Sequence, residues 1–126
     1  FAFEEGGSSP YLPHNYTSNC VVYTGTHDND TSAGWYQHTS DYARDKVRRY
    51  MNTDASSISW DFIRICLGSI ARYAIFPVQD LLKVGSEARM NTPGTAEHNW
   101  EWRFRQGELN SGMARGLRQM TELFGR

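Results

Sequence analysis

The sequence predicts an α/β fold with parallel strands, and three observations lead there. A short β-branched and aromatic run, Cys20-Val21-Val22-Tyr23-Thr24, stops at Gly25 in the manner of a buried strand. Two stretches of helical period follow it, and a second apolar run from Tyr73 to Leu82 comes only after them. Strands separated by helices need crossover connections, and crossovers join parallel neighbours.

Taken in order, Phe1-Ala2-Phe3 reads as the end of a strand. It breaks into the turn-forming stretch Glu4-Glu5-Gly6-Gly7-Ser8-Ser9-Pro10, which continues through Pro13, His14 and Asn15. After the Cys20–Thr24 strand, Thr31 to Met51 is expected to be helical. Ala43, Val47, Tyr50 and Met51 share one face there, with Arg44, Lys46, Arg48 and Arg49 on the solvated side. A second helix is expected from Ser57, whose hydroxyl can cap it, with Asp61 near its positive end. Ile58, Phe62, Ile65, Cys66 and Ile70 form its apolar face. Tyr73 to Leu82 reads as the next strand, although Pro77 has no N–H to donate. The polar segment 85–107 has no clean period, which marks a functional loop. Met113, Leu117, Met120 and Phe124 then recur at helical spacing after a cap at Ser111, giving a closing amphipathic helix.

Composition narrows the partners. At 126 residues the chain suits one domain. A net charge of −1 with both signs interspersed provides no electrostatic footprint for nucleic acid or an anionic membrane. No apolar run reaches membrane-spanning length. Seven Tyr, six Phe and four Trp offer flat apolar faces with polar edges, which serve protein cores and sugar rings alike. Cys20 and Cys66 fit no metal or redox spacing and are expected to be free thiols in a reducing, intracellular setting. The opening residues are neither a leader nor an initiating Met segment, so the chain is expected to begin within a longer protein.

Two clusters can carry chemistry. The first, Tyr23-Thr24-Gly25-Thr26-His27-Asp28-Asn29-Asp30, lies just past the C-terminal end of a strand. An adjacent imidazole and carboxylate can hold two neighbouring sugar hydroxyls, but the same residues also describe a turn capped by Asp and Asn side chains. A metal-dependent hydrolase reading needs more ligands, and His14, His38 and His98 lack ligand spacing. The second cluster runs from Gly85-Ser86-Glu87-Ala88-Arg89-Met90-Asn91-Thr92-Pro93-Gly94-Thr95 to Asn99-Trp100-Glu101-Trp102-Arg103. It reads either as a site or as a structural loop held by a Glu–Arg ion pair and anchored by two Trp. Gln79 and Asp80 face the same choice between site and scaffold.

Together and in this order, these clusters resemble a known family. Pro10-Tyr11-Leu12-Pro13-His14-Asn15, Val22–Thr31, Pro77-Val78-Gln79-Asp80-Leu81-Leu82, Gly85–Thr95 and Asn99-Trp100 look like the 4-α-glucanotransferases of glycoside hydrolase family 77. Departures are few: His98 stands where a glycine is usual, and Ser32-Ala33 replaces bulkier residues before Gly34-Trp35.

The resemblance implies the C-terminal portion of a (β/α)8 barrel, since a whole barrel takes about 250 residues. Phe1–Phe3 would end strand six, Val21–Thr24 would be strand seven and Ile75–Asp80 strand eight. It implies transfer of α-1,4-glucan segments between malto-oligosaccharides, or to glucose as acceptor, by a retaining route. Asp28 would be the third active-site carboxylate and His27 its substrate-binding neighbour, with Arg89, Asn91, Pro93 and Gly94 near the donor subsites. The nucleophile and the acid/base would lie in the N-terminal part of the same enzyme, so this chain alone would be an inactive or merely glucan-binding piece. No metal or other cofactor is implied. The setting would be the cytoplasm, or the plastid stroma in a plant or alga.

Overall fold

The structure, a computed structural model, describes residues 1–126. Its elements are β1 (Val21–Tyr23), α1 (Ser32–His38), α2 (Asp41–Met51), α3 (Ile58–Leu67), β2 (Tyr73–Ile75), α4 (Val78–Leu82) and α5 (Ser111–Leu123), with single 3₁₀ turns at Pro13–Asn15 and Ser86–Ala88. β1 and β2 pair in parallel, with Val21 opposite Tyr73, Val22 opposite Ala74 and Tyr23 opposite Ile75. The expected crossover is therefore present, and α1 to α3 make it.

Alternation decides what each face of this ribbon does. Val22 points inward and packs with Cys66 and Ala71, supported by Ile65, Ala74 and Phe76. Val21, Tyr23, Tyr73 and Ile75 point the other way and are all exposed. A second cluster gathers Phe3, Leu12, Val47 and Ile58, with Trp35, Tyr50 and Phe62 against it. Phe3 is its hub, with ring centroids 6.1 Å from Trp35, 5.9 Å from Tyr50 and 6.0 Å from Phe62. α3 contributes to both clusters, Ile58 to one and Cys66 to the other, and also touches α1, α4 and α5.

Several boundaries differ from those expected. Phe1–Phe3 forms no strand: it pairs with no other strand, and the Glu4 N–H donates to the Phe1 carbonyl at 3.3 Å to close a turn. The second strand stops at Ile75, so the expectation that it runs to Leu82 fails. Pro77 explains why, since its fixed φ of −68° suits a helix entry and its missing N–H would break a ladder. The helix expected from Thr31 to Met51 is two helices. Thr39 and Ser40 are extended, and the Ser40 hydroxyl accepts the Ala43 N–H at 3.2 Å to start α2 afresh.

Ser57 occupies the position before α3 but makes no side-chain cap, while its carbonyl accepts the Trp60 N–H at 2.9 Å. Ile70 lies beyond the end of α3 and is exposed, whereas Ile63 and Leu67 are buried. A helix packed on more than one side buries more than one stripe, which a single-face reading misses. The cap of α5 is Asn110, whose side chain accepts the Met113 N–H at 3.0 Å, and not Ser111. Both cysteines are free thiols, as expected. Burial, and after it the charge of Asp80, pushes the Cys66 thiol up to about 12.

Candidate functional site

The loop from Gly25 to Thr31 leaves the C-terminal end of β1 and feeds α1. Asn29 shapes its first half by accepting the Thr26 N–H at 2.8 Å and the Thr26 hydroxyl at 2.9 Å. Asn29 is thus spent on the turn, as the capped-turn reading allows. His27 and Asp28 lie at the crest, about half exposed at 55 % and 49 %, with His27 Nε2 3.3 Å from Asp28 Oδ1. These two polar groups are open to a ligand.

The second loop meets them there. Asn91 donates its side-chain amide to Asp28 Oδ1 at 2.7 Å, and Arg89 Nη2 donates to the Asp28 carbonyl at 2.7 Å. Arg89 Nε also donates to the Asn91 carbonyl at 3.0 Å, so the guanidinium links both loops. The expected Glu–Arg ion pair does not form: Glu87 accepts the Gly85 N–H at 2.8 Å, and Arg103 donates to the carbonyls of Trp100 and Trp102.

Pro93 and Gly94 form a tight turn and make no hydrogen bond to Asp28. The Thr95 N–H reaches the Thr92 carbonyl at 3.2 Å across them, and Gly94 has φ +82°, as a type II turn requires. Asn99 fastens this turn, accepting the Thr92 N–H at 2.8 Å and donating to the Thr95 carbonyl at 3.0 Å. His98 sits at φ +59°, a left-handed conformation that costs a non-glycine residue energy. Trp100 follows at φ +65° and its N–H donates to the Met90 carbonyl at 2.7 Å.

Sequence reasoning missed the part Trp100 plays. Its ring lies 5.0 Å from that of His27, so an exposed aromatic face adjoins the imidazole. The Asp30–Ser86 tie was missed as well, the Ser86 hydroxyl donating to Asp30 Oδ2 at 2.6 Å. This contact lies directly over Gly34. A Cβ there would fall inside contact distance of the Ser86 hydroxyl and 2.7 and 2.8 Å from the Asp30 oxygens. A glycine early in a short helical run was the available signal. Asp80 is fully buried and Gln79 nearly so, which places both in the scaffold beneath the site.

The family described as 4-alpha-glucanotransferase, within glycoside hydrolase 77, matches residues 1–110 of the chain. A 4-alpha-glucanotransferase of Synechocystis is 48% identical over 128 residues, covering 100% of this chain and 25% of its own length. One from Thermus thermophilus is 43% identical over 130 residues, covering 97% of this chain and 26% of its own length. Among solved structures, an amylomaltase from Streptococcus agalactiae in complex with acarbose superposes with a TM-score of 0.92 at 31% identity, over 98% of this chain and 25% of that one. The chain therefore spans about a quarter of the length of the relatives it matches.

Proposed function

Because this chain belongs to the 4-alpha-glucanotransferase family of glycoside hydrolases, we propose that it supplies the donor-site carboxylate of an enzyme that transfers α-1,4-glucan segments between malto-oligosaccharides or to glucose. One observation carries the reading. The loop that leaves β1 and the segment that follows β2 and α4 meet at Asp28, whose carboxylate accepts from Asn91, 63 residues away in sequence. The C-terminal ends of parallel strands are where barrel enzymes assemble their sites. In this reading β1 and β2 are the last two strands of a (β/α)8 barrel. Their exposed row of Val21, Tyr23, Tyr73 and Ile75 is the face that the other strands' side chains would fill.

The chemistry follows from what these residues can do. Retaining transfer needs a nucleophile and an acid/base carboxyl about 5 Å apart. Those two are assigned to the portion of the family's length that this chain does not span. Asp28 takes the hydroxyls of the sugar whose ring flattens as the bond breaks, where hydrogen bonds strengthen with developing positive charge. His27 Nε2 beside Asp28 contacts the same sugar. Asn91 and Arg89 fix the carboxylate and the backbone beneath it. Trp100 extends the platform with an apolar face suited to a neighbouring glucose ring. Pro93 and Gly94 shape the rim of the donor subsites.

The full-length enzyme containing this chain, given maltotriose alone, should yield glucose together with a ladder of longer oligosaccharides. The 126-residue chain by itself should yield neither. Hydrolysis to glucose and maltose without chain lengthening would overturn the transferase reading.

A further inference from the structure

We infer that Asp80 is a positioning residue for the His27–Asp28 loop, holding both ends of that loop with one buried carboxylate. The inference rests on the reading of Asp28 as the donor-site carboxylate. Asp80 Oδ2 accepts hydrogen bonds from the Thr24 and Ser32 hydroxyls, the latter at 2.9 Å, while Oδ1 accepts the Ser32 N–H at 3.1 Å. Thr24 is the last residue before the loop and Ser32 the first after it, so the span of residues 25–31 is fixed from below at both ends. His27 and Asp28 lie near its middle, with no buried apolar anchor of their own.

Asp80 is 0 % exposed, and none of the chain's ion pairs includes it. A buried carboxylate without a cation is costly, and three hydrogen bonds to flanking backbone and hydroxyls are what offset that cost. An apolar residue would remove the buried charge but leave the Ser32 N–H and two hydroxyls without an acceptor, so the carboxylate is what joins the two ends of the loop. The neighbouring residue supports this. Gln79 Nε2 donates to the Ala88 carbonyl at 3.1 Å, immediately before Arg89, so the same short helix also grips the second loop. α4 thereby sets the separation across which Asn91 reaches Asp28.

The donors distinguish geometry from charge. In Asp80→Asn the amide oxygen can face the Ser32 N–H, and its NH2 group can face two hydroxyls that rotate to accept. The clamp then survives without the charge. In Asp80→Leu no clamp remains.

The test uses the full-length enzyme, with maltotriosyl fluoride as donor so that slow variants stay readable. Asp80→Leu should lower kcat by about 100-fold, the scale expected of a misplacement near 1 Å, while Asp80→Asn keeps at least about a tenth of it. In the Asp28→Asn background, Asp80→Leu should cost less than about threefold more, because its effect acts through Asp28. Should the Leu variant fail to fold, Thr24→Val/Ser32→Ala goes through the same cycle, with a loss of about tenfold in the parent and under about threefold in Asp28→Asn. Equal losses in both backgrounds, or an Asn variant as damaged as the Leu variant, would overturn the positioning role and leave Asp28 untouched. An Asp28→Asn enzyme within threefold of the parent would instead overturn the reading of Asp28, and this inference with it.

Discussion

Asn91 and Asp28 are joined side chain to side chain at 2.7 Å, and this bond closes the site across 63 residues of sequence. A hydrogen bond to a charged group contributes about 1.5–3 kcal/mol when sheltered. Asp28 is half exposed, so the lower end applies. Asn91→Ala should therefore reduce kcat for maltotriose disproportionation by about tenfold. An unchanged kcat would show that Asp28 is held without Asn91.

His27 touches Asp28 on one side and the Trp100 ring on the other. Both side chains present surface that a bound sugar can use before the transition state forms. His27→Ala and Trp100→Ala are each expected to raise KM by roughly 5- to 30-fold, the equivalent of about 1–2 kcal/mol of lost contact, with His27→Ala also lowering kcat. KM values indistinguishable from the parent's would remove both residues from the donor site.

Gly34 reverses a general rule. Alanine ordinarily stabilises a helix interior by about 1 kcal/mol relative to glycine. Here the added methyl would press on the Ser86 hydroxyl and both Asp30 oxygens, breaking the tie between the loops. Gly34→Ala is expected to destabilise by about 1–3 kcal/mol, read as a lower thermal midpoint of the full-length enzyme. A raised midpoint would mean that Ser86 and Asp30 move aside freely.

Cys66 gives a dependence on alkaline pH. Its folded value is raised from an ordinary 9.0 to about 12, with burial as the main cause. The unfolded chain therefore releases this proton first as pH rises. The resulting stability is complete below pH 9 and is lost between about 9 and 12, at up to about 1.4 kcal/mol per pH unit. Tyr16, also raised to about 12 by burial, acts in the upper part of the same window. Cys66→Ala should flatten the alkaline fall in denaturant midpoint relative to the parent. Parallel curves for the two proteins would contradict the burial argument.

Particular residues show what was legible in the sequence and what was not. The parallel pair, the closing helix and the loop bearing His27 and Asp28 followed from local pattern, because strand runs and helical period are local properties. The exact reach of β2 did not, although Pro77 marked its limit. The Thr39–Ser40 break was present as a cap signal inside an otherwise continuous period. Ile63 was hidden because α3 packs on several sides. In the structure Asp28, His27, Arg89 and Asn91 lie next to one another, with Pro93 and Gly94 in a turn of the second loop. The roles of Trp100, Ser86 and Asp80 arise from contacts between segments distant in sequence. His98 lies between the two kinds: its departure from glycine was visible, and its φ of +59° supplies the physical meaning.

As the proposed donor-site carboxylate, Asp28 stabilises the transition state of glucan transfer. Asp28→Asn in the full-length enzyme tests this most directly, because the amide keeps the shape and can keep a bond to Asn91 while removing the charge. Disproportionation of maltotriose should fall by roughly a thousandfold or more, with maltotriose binding by calorimetry within a few-fold of the parent, as expected when an interaction strengthens mainly in the transition state. A rate within threefold of the parent would show that Asp28 does not stabilise that transition state.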